Sequence, residues 1–426
     1  MSLTEVRISV DQVREGLYIR LDAWMNHPFL FNSFKIRNAK QIEALRAAGI
    51  RELICVPAKS DCEPLPPPSE ASPSPAATVE QAAAADPELA AMWQEKAARR
   101  QKVAERRAAI AQCEQRFNKS VGSVKTLLKG LFARPQASVG QAKAMVSDMV
   151  DSLMTEKEVV IHLMSSKAGD ENAYYHALNV TVLSLLLAKE AGLTAEEMRA
   201  LGLGCLLHDI GKERVPSQIL LKRAPWTPAE YNFYQQHVVY GVEAAQRLPN
   251  LTPGAMEVIA FHHEMMDGSG FPGRLAAEHI GRLARIAAIV NTYDNHCNRV
   301  NPADSLTPAE ALAYMFKRQK DQFDPLLLKL FIRCMGVYPP GSIVQLNNDA
   351  IGMVVSVNPD RLLQPTILLY DPAIPKDEAV FFDLDEEPDL AIVKTLRPVE
   401  LKPAVCEYLN PRARVNYFLE QGSDRK

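Results

Sequence analysis

The sequence predicts a mainly α protein: a helical bundle with a small N-terminal α+β domain and a short C-terminal β extension. Three observations predict it. Residues 138–338 carry a succession of runs long enough for helices. Residues 1–60 alternate apolar and polar side chains around one capped helix. Residues 341–398 turn to short β-branched segments separated by turn residues. A chain of 426 residues has room for two or three domains and an ample core.

Taken in order, Val6–Val10 and Leu17–Leu21 read as strands. Asn38 offers an N-cap for a helix through Ala47, Gly49 ends it, and Leu53–Pro57 reads as a closing strand. Trp24, Phe29, Phe31 and Phe34 read as the core of this domain. Residues 61–87 are rich in Pro, Ala, Ser and Glu, cannot bury enough apolar surface to fold, and read as a linker that is stiff from Pro66 to Pro68. Residues 88–134 read as a connecting helix. Val103, Ile110, Phe117, Val124 and Leu131 recur every seven residues, but Arg99 and Arg106 break the second column of a coiled coil. The helix is therefore expected to pack on the domains or to join two copies in a homodimer. Arg99, Arg100, Lys102, Arg106 and Arg107 read as its solvated face.

The region 138–338 reads as almost wholly helical, with runs at Ala142–Thr155, Tyr174–Ala191, Ala195–His208, Pro228–Arg247, Pro253–His263, Leu283–Tyr293 and Pro308–Gln319. Residues 339–402 form the β extension, with strands at Ser342–Leu346, Gly352–Val357 and Thr366–Tyr370. Residues 403–426 read as a tail, either a loose helix or unstructured.

A formal net charge of -3, from 48 Lys+Arg against 51 Asp+Glu, gives no global pull towards DNA, RNA or an anionic membrane. Seven cysteines, an odd count without a C-x-x-C pair, fit reduced thiols rather than a disulfide framework. No signal peptide opens the sequence, and no apolar run reaches the ~18 residues of a membrane span. The expectation is a cytoplasmic protein.

The chemistry is concentrated in the helical region. The chain has only nine histidines. Six candidate metal ligands lie on four predicted helices or at their ends: His176, His208, Asp209, His237, His262 and His263. A helical bundle can bring such residues to one internal site. The two oxygens of Asp209 can bridge two cations, and two ions ~3.5–4 Å apart can hold a hydroxide and clamp a phosphoryl group. Histidine enrichment argues for Fe, Mn or Zn over Mg. A lone histidine such as His162 reads as a satisfied structural residue. Asp267-Gly268-Ser269-Gly270-Phe271-Pro272 must leave its helix sharply and form a tight loop beside His262 and His263. Glu264 and Asp267 read as residues that fix this turn and orient imidazoles.

In order, these residues read H…HD-x-G-K…H-x-x-x-G…HHE-x-x-D-G-x-G-F-P, which resembles the HD-GYP subgroup of the HD phosphohydrolase superfamily over roughly residues 140–340. Arg214–Leu220, Phe323-Asp324-Pro325 and Gly336–Ser342 resemble it as well, and the first domain is similar to an accessory domain found ahead of such modules in bacteria. The resemblance implies an HD-type bundle that hydrolyses cyclic di-GMP to linear pGpG, and onward to GMP, by a hydroxide held at a dinuclear centre. His176, His208 and Asp209 would hold one ion, and Asp209 would bridge to a second held by His237, His262 and His263. Fe or Mn leads, with Zn, Ni or Mg as other occupants. Lys212 matches a lysine that faces the substrate phosphate, and Gly268, Gly270 and Phe271 would shape the substrate pocket.

The pattern departs from the family in four places. Phe271 replaces a tyrosine, and Asn291 stands where the last metal-binding Asp usually lies, leaving an uncharged ligand and giving weight to Asp294, one turn on, which is expected at the substrate. Position 172 is Asn where three-metal members carry Glu, which favours two metals. The basic segment after the last Asp is reduced to Arg299, the nearest phosphate contact. Two alternatives follow: a degenerate module that binds cyclic di-GMP without cleaving it, or an HD hydrolase for another nucleotide. The first domain would regulate, or recruit a partner such as a diguanylate cyclase (GGDEF) protein.

Overall fold

The computed structural model describes residues 5–21, 27, 29, 32–67, 87–155, 160–164, 172–357, 362–372, 374–376, 379, 381–386, 390–409 and 415–420. Trp24, Phe31, linker residues 68–86 and the side chain of Arg99 lie outside them. The chain divides into two compact units, residues 1–107 with 369–381 and residues 108–368 with 382–426.

The first unit is an antiparallel sheet of order β1-β4-β2-β3: β1 (Val6–Ser9), β2 (Tyr18–Arg20), β3 (Ser33–Lys35) and β4 (Glu52–Cys55). Helix α1 (Ala39–Ala47) starts where Asn38 accepts a hydrogen bond from Gln41 N, and the chain leaves it through Gly49 at φ +73°. Leu17, Ile19, Leu45 and Leu53 are fully buried between sheet and helix. Phe29 joins this core, its ring 4.8 Å from that of Phe34, as expected of an aromatic core residue. Strand β3 escapes the sequence reading because three residues are too few to show a period.

Helix α2 (Pro87–Gly130) runs through the boundary between the units. In the second unit Phe117 and Val124 are fully buried. Phe117 packs with Cys113 and Val121 against Met164, Tyr175 and Leu178. The lower half of the seven-residue column thus closes on its own chain.

The bundle of this unit contains α3 (Pro135–Thr155), α4 (Asn172–Glu190), α5 (Ala195–Leu207), the short α6 (Ser217–Leu220), α7 (Pro228–Ala245), α8 (Pro253–Phe261), α9 (Arg282–Cys297), α10 (Pro308–Arg318) and α11 (Pro325–Met335). Helix α4 is buried on every side from Tyr175 to Ala188, as befits a helix apolar all round. Threonine caps set the starts around it. Thr194 with Glu197 and Thr227 with Glu230 form capping boxes, and Thr252 caps α8 ahead of Pro253. Helix α11 lay outside the runs read from sequence, although Asp324 caps it and Gly336 ends it at φ +74°.

Two expectations are corrected. The region 138–338 is not all helix: β5 (Val160–Met164) pairs antiparallel with β7 (Ile351–Val357) and β11 (Asn416–Glu420). A five-residue apolar run is ambiguous between strand and buried helix, and its partners lie far along the chain. The described residues of the tail are not loose: they form α12 (Pro403–Leu409) and β11, in which Tyr417 is fully buried. The sheet runs β10-β6-β7-β5-β11, with β6 (Ile343–Leu346) and β10 (Ile392–Leu396) at one side. Strand β8 (Thr366–Leu369) pairs with β7 and with β9 (Phe381–Asp383). Among the described residues no helix is long and apolar enough to cross a membrane.

Candidate metal centre

Four helices and one turn bring the histidines together. His176 lies in the second turn of α4. His208 is the C-cap of α5, with Asp209 next to it at the mouth of the short 3-10 turn Ile210–Arg214. His237 lies midway along α7, and His262 is the C-cap of α8, followed by His263. The turn sits hard against α7. A Cβ on Gly211 would fall 2.0 Å from His237 O and 2.3 Å from Gly241 N, so the H-D-x-G spacing lets main chain meet main chain there.

The side chains form two groups that share Asp209: His176 and His208 on one side, His237, His262 and His263 on the other, with the ligand atoms in each group within 4.8 Å of one another. Asp209 Oδ2 is 3.5 Å from His176 Nε2 and 3.3 Å from His208 Nε2. Asp209 Oδ1 is 3.5 Å from His237 Nε2 and 3.8 Å from His262 Nε2. Each carboxylate oxygen therefore faces its own set of imidazoles.

The outer nitrogens fix the tautomers. His208 Nδ1 donates to Cys205 O at 2.6 Å, His237 Nδ1 to Tyr234 O at 2.6 Å, and His262 Nδ1 to Ile259 O at 3.1 Å. His176 Nδ1 donates to Asp294 Oδ2 at 2.6 Å. A neutral ring held this way turns a bare Nε2 lone pair inward. His176 Nε2 then faces His208 Nε2 at 3.2 Å, and His237 Nε2 faces His262 Nε2 at 3.4 Å. Lone pairs that close repel unless a cation lies between them.

Burial favours the neutral form of His176, His237, His262 and His263. It lowers His237 from 6.5 to about 4, and it lowers His262 and His263 well below the ordinary histidine value, with neighbouring imidazoles adding to the effect. Burial also lowers His176, against the opposing pull of Asp294 and Asp209. Burial alone would raise Asp209, but His208 and Lys212 outweigh it and hold the carboxylate well below its usual range. Lys212 Nζ lies 2.5 Å from Asp209 Oδ2. Burial works against its charge, but Asp209 more than compensates and raises the lysine above its ordinary value.

Two buried atoms test whether metal fits here. Among the described residues Asp209 Oδ1 and His263 Nε2 have no hydrogen-bond partner, which is costly for buried polar atoms. Two donors on one ion at about 2.0–2.1 Å stand roughly 2.8–3.4 Å apart for right-angled to tetrahedral coordination. The separations in the His176 group lie in or next to that range, and those in the other group are slightly wider. A donor set of neutral imidazoles around one carboxylate suits divalent transition ions.

The remaining expected residues fall in different places. Phe271 stacks on His263, with ring centres 4.3 Å apart and planes at 20°. Gly268 turns at φ +75°. Gly270 packs so closely that a Cβ would lie 2.4 Å from Met265 N and 2.5 Å from His263 O. Glu264 holds the loop by accepting from Gly273 N at 2.5 Å and Leu275 N at 2.9 Å, while Asp267 accepts from Ser269 N at 2.9 Å. These carboxylates fix the turn as expected, but main-chain carbonyls and Asp294 orient the imidazoles. Asn291 is buried on α9, its Oδ1 accepting from Asn295 Nδ2 at 2.9 Å. Arg299 is exposed and lies 3.3 Å from His296 Nδ1.

Asp294 is a correction. It was expected at the substrate, yet it is fully buried, and its oxygens receive His176 Nδ1, Asn179 Nδ2 at 2.7 Å and Asn298 Nδ2 at 2.9 Å. It cannot touch a substrate and instead braces His176. Sequence reasoning missed Asn179, which also donates to Val415 O at 3.1 Å and accepts from Tyr417 N at 3.0 Å, tying β11 to α4. It missed Tyr234 too, whose ring lies 4.7 Å from that of His237 and 5.5 Å from Lys212 Nζ. A buried asparagine in an otherwise apolar helix was the available signal for the first. Only the spacing of three before His237 marks the second.

Known families account for nearly the whole chain. A family model described as HD domain matches residues 145–327, which contain the full cluster. The HD-domain match therefore describes residues 145–327 of this chain. A domain of unknown function (DUF3391) matches residues 5–159 and a KOW domain associated with HD domain matches residues 343–404. The chain is 32% identical over 240 residues to a cyclic di-GMP phosphodiesterase of Pseudomonas aeruginosa, covering 55% of this chain and 58% of that protein. It is 31% identical over 197 residues to 3'3'-cGAMP-specific phosphodiesterase 2 of Vibrio cholerae, covering 46% of this chain and 38% of that protein. It thus spans little more than half of the first relative and less of the second. An HDG"Y"P protein from Bdellovibrio bacteriovorus aligns structurally at TM-score 0.43 and 15% identity, covering 77% of this chain and 98% of that one.

Proposed function

We propose that this protein is a metal-dependent phosphodiesterase acting on cyclic di-GMP, giving linear pGpG, with GMP the product of a second cut. One observation carries the reading: a single carboxylate, Asp209, whose two oxygens face two separate groups of inward-turned imidazoles. Relatives named for cyclic dinucleotide phosphodiesterase activity support it.

His176, His208 and Asp209 would hold one ion, and Asp209, His237, His262 and His263 the other, with Asn291 the weakest member of the set. Two divalent ions supply Lewis acidity, polarising the phosphate and acidifying water. Fe or Mn suits the imidazole donors best, with Zn, Ni or Mg as weaker occupants. The protein's own groups do the rest. The carbonyls of Cys205, Tyr234 and Ile259, together with Asp294, keep the Nδ1 protons of His208, His237, His262 and His176 outside the site and their Nε2 atoms inside it. Lys212 stays charged beside Asp209 and meets the negative charge that builds on the phosphate. Phe271 covers His263 and excludes water from that side, Gly268 and Gly270 shape the loop beneath it, and Arg299 supplies an outer phosphate contact.

Residues 138–338 are the catalytic domain on this reading, and 339–402 are its β extension. Residues 1–60 regulate it through the linker 61–87 and the helix 88–134, by recruiting a diguanylate cyclase (GGDEF) protein or pairing two copies. The protein acts in the cytoplasm. The test is turnover of cyclic di-GMP by protein purified anaerobically with Fe or Mn, with products separated by chromatography. Conversion by wild type and loss in Asp209→Ala is the expected result. Undiminished turnover in that variant rules the site out. The Vibrio relative named for 3'3'-cGAMP favours a second reading, another cyclic dinucleotide as substrate, and a panel of such substrates decides between them.

A further inference from the structure

We propose that the rings of Tyr231 and Trp226, continued inward by Tyr234 and Phe271, form a stacking shelf for a purine base of the nucleotide held at the metal centre. The inference deepens the phosphodiesterase reading and rests on it for the identity of the natural ligand. The rings run in an unbroken series outward from the histidines. Phe271 stacks on His263 and stands edge-on at the inner end of the series, 6.4 Å from Tyr234 with planes at 68°; Tyr231 lies 6.5 Å from Tyr234 with planes 22° apart, and Trp226 lies 4.5 Å from Tyr234 at 35° and 6.2 Å from Tyr231 at 31°. Tyr231 is 43% exposed, so it is within reach of a ligand. The inner end of the series touches the cation that would meet a phosphate: Lys212 Nζ lies 5.5 Å above the Tyr234 ring. A phosphate at the centre and a flat apolar surface beside it are the two halves of nucleotide recognition.

The shelf is rigid before anything binds. Trp226 Nε1 donates to Ile219 O at 2.9 Å, Lys222 pairs with Glu230 at 2.6 Å, and Thr227 caps α7 between them. A surface already ordered loses little entropy on binding. Stacking is tolerant of base identity because every base has a π face, but a bicyclic purine covers more of a surface wider than one ring.

The test follows tryptophan fluorescence of the full-length, metal-loaded protein during titration with GMP, CMP and ribose 5-phosphate. Trp226→Phe identifies which of the chain's three tryptophans reports. GMP is expected to quench saturably, CMP to bind more weakly, and ribose 5-phosphate to leave the signal unchanged. Tyr231→Ala should weaken GMP binding by about 10-fold or more, the scale of losing one base stack, and Tyr231→Phe should restore it. In turnover Tyr231→Ala should raise KM and leave kcat within about twofold, because it removes binding shared by ground and transition states. Unchanged GMP affinity in Tyr231→Ala, or equal affinity for ribose 5-phosphate, overturns the shelf. GMP binding as expected without turnover of any cyclic dinucleotide instead keeps the shelf and removes the hydrolytic reading.

Discussion

The two ligand groups share Asp209, but their surroundings differ. His176 donates its outer proton to the carboxylate of Asp294, whereas His237 and His262 donate theirs to neutral main-chain carbonyls. The first group is also more compact, with separations of 3.2, 3.3 and 3.5 Å against 3.4, 3.5 and 3.8 Å in the second. A carboxylate behind an imidazole raises its basicity and fixes its orientation. The difference teaches that the His176 side is braced by a buried charge, whereas the other side is held by neutral carbonyls, with Phe271 stacked over His263.

Removing the shared oxygen donor should break both sides at once. Asp209→Ala should bind neither ion stoichiometrically and lose turnover by at least roughly 10²–10³-fold, the scale for deleting one preorganised electrostatic group. Elemental analysis beside circular dichroism checks it, and full metal content in a folded variant would contradict the bridge. Lys212→Met separates substrate from metal. It should cost about 10²-fold in kcat, with metal content retained or increased, since the ammonium lies 2.5 Å from Asp209 Oδ2 and competes with a cation there. Loss of metal in that variant would instead make Lys212 part of the scaffold.

Asp294→Asn probes the asymmetry directly. It keeps a hydrogen-bond acceptor beside His176 and removes its charge, so affinity should fall about 10- to 100-fold for one of the two ions while the other titrates as before. Equal loss at both, measured by calorimetric titration, would erase the distinction. The smallest effect is on acid stability of the metal-stripped protein. His237 titrates at about 4 when folded and near 6.5 when unfolded, so between these values the unfolded chain binds more protons and stability falls as pH drops. This one ring contributes about 3 kcal/mol over the window, and His262 and His263 shift in the same direction. Denaturant melts at pH 7.5 and 4.5 should show the drop, and His237→Gln should flatten it more than His176→Gln. The reverse order would place the acid-sensitive element on the braced side.

His208, Asp209, His262 and His263 of the convergent cluster were legible because their chemistry is written in residue types and short spacings, H-D-x-G-K and H-H-E-x-x-D-G, whereas His176 and His237 stood out only by their order in the chain. The runs starting at Ala195, Pro228 and Pro253 match the observed helix starts, where the hydroxyls of Thr194, Thr227 and Thr252 accept from the first turn. Asp294 was misread because its role depends on His176, 118 positions away, and proximity in the fold leaves no local pattern. The strand Val160–Met164 was hidden for the same reason, since its partners lie in β7 and β11. The carbonyls that orient His208, His237 and His262 are invisible in any sequence, because every residue carries one.

Strand β11 has a further consequence. Asn179 reaches from α4 to Val415 O and Tyr417 N, the Tyr417 hydroxyl lies 2.7 Å from that of Tyr293, and Asn298 bonds both Asp294 and Val415. The back wall behind His176 is thus made of residues more than two hundred positions downstream. During synthesis, which delivers the N-terminal side first, His176 and Asp294 emerge well before that wall exists. That wall is therefore completed only after the segment around residue 417 has left the ribosome.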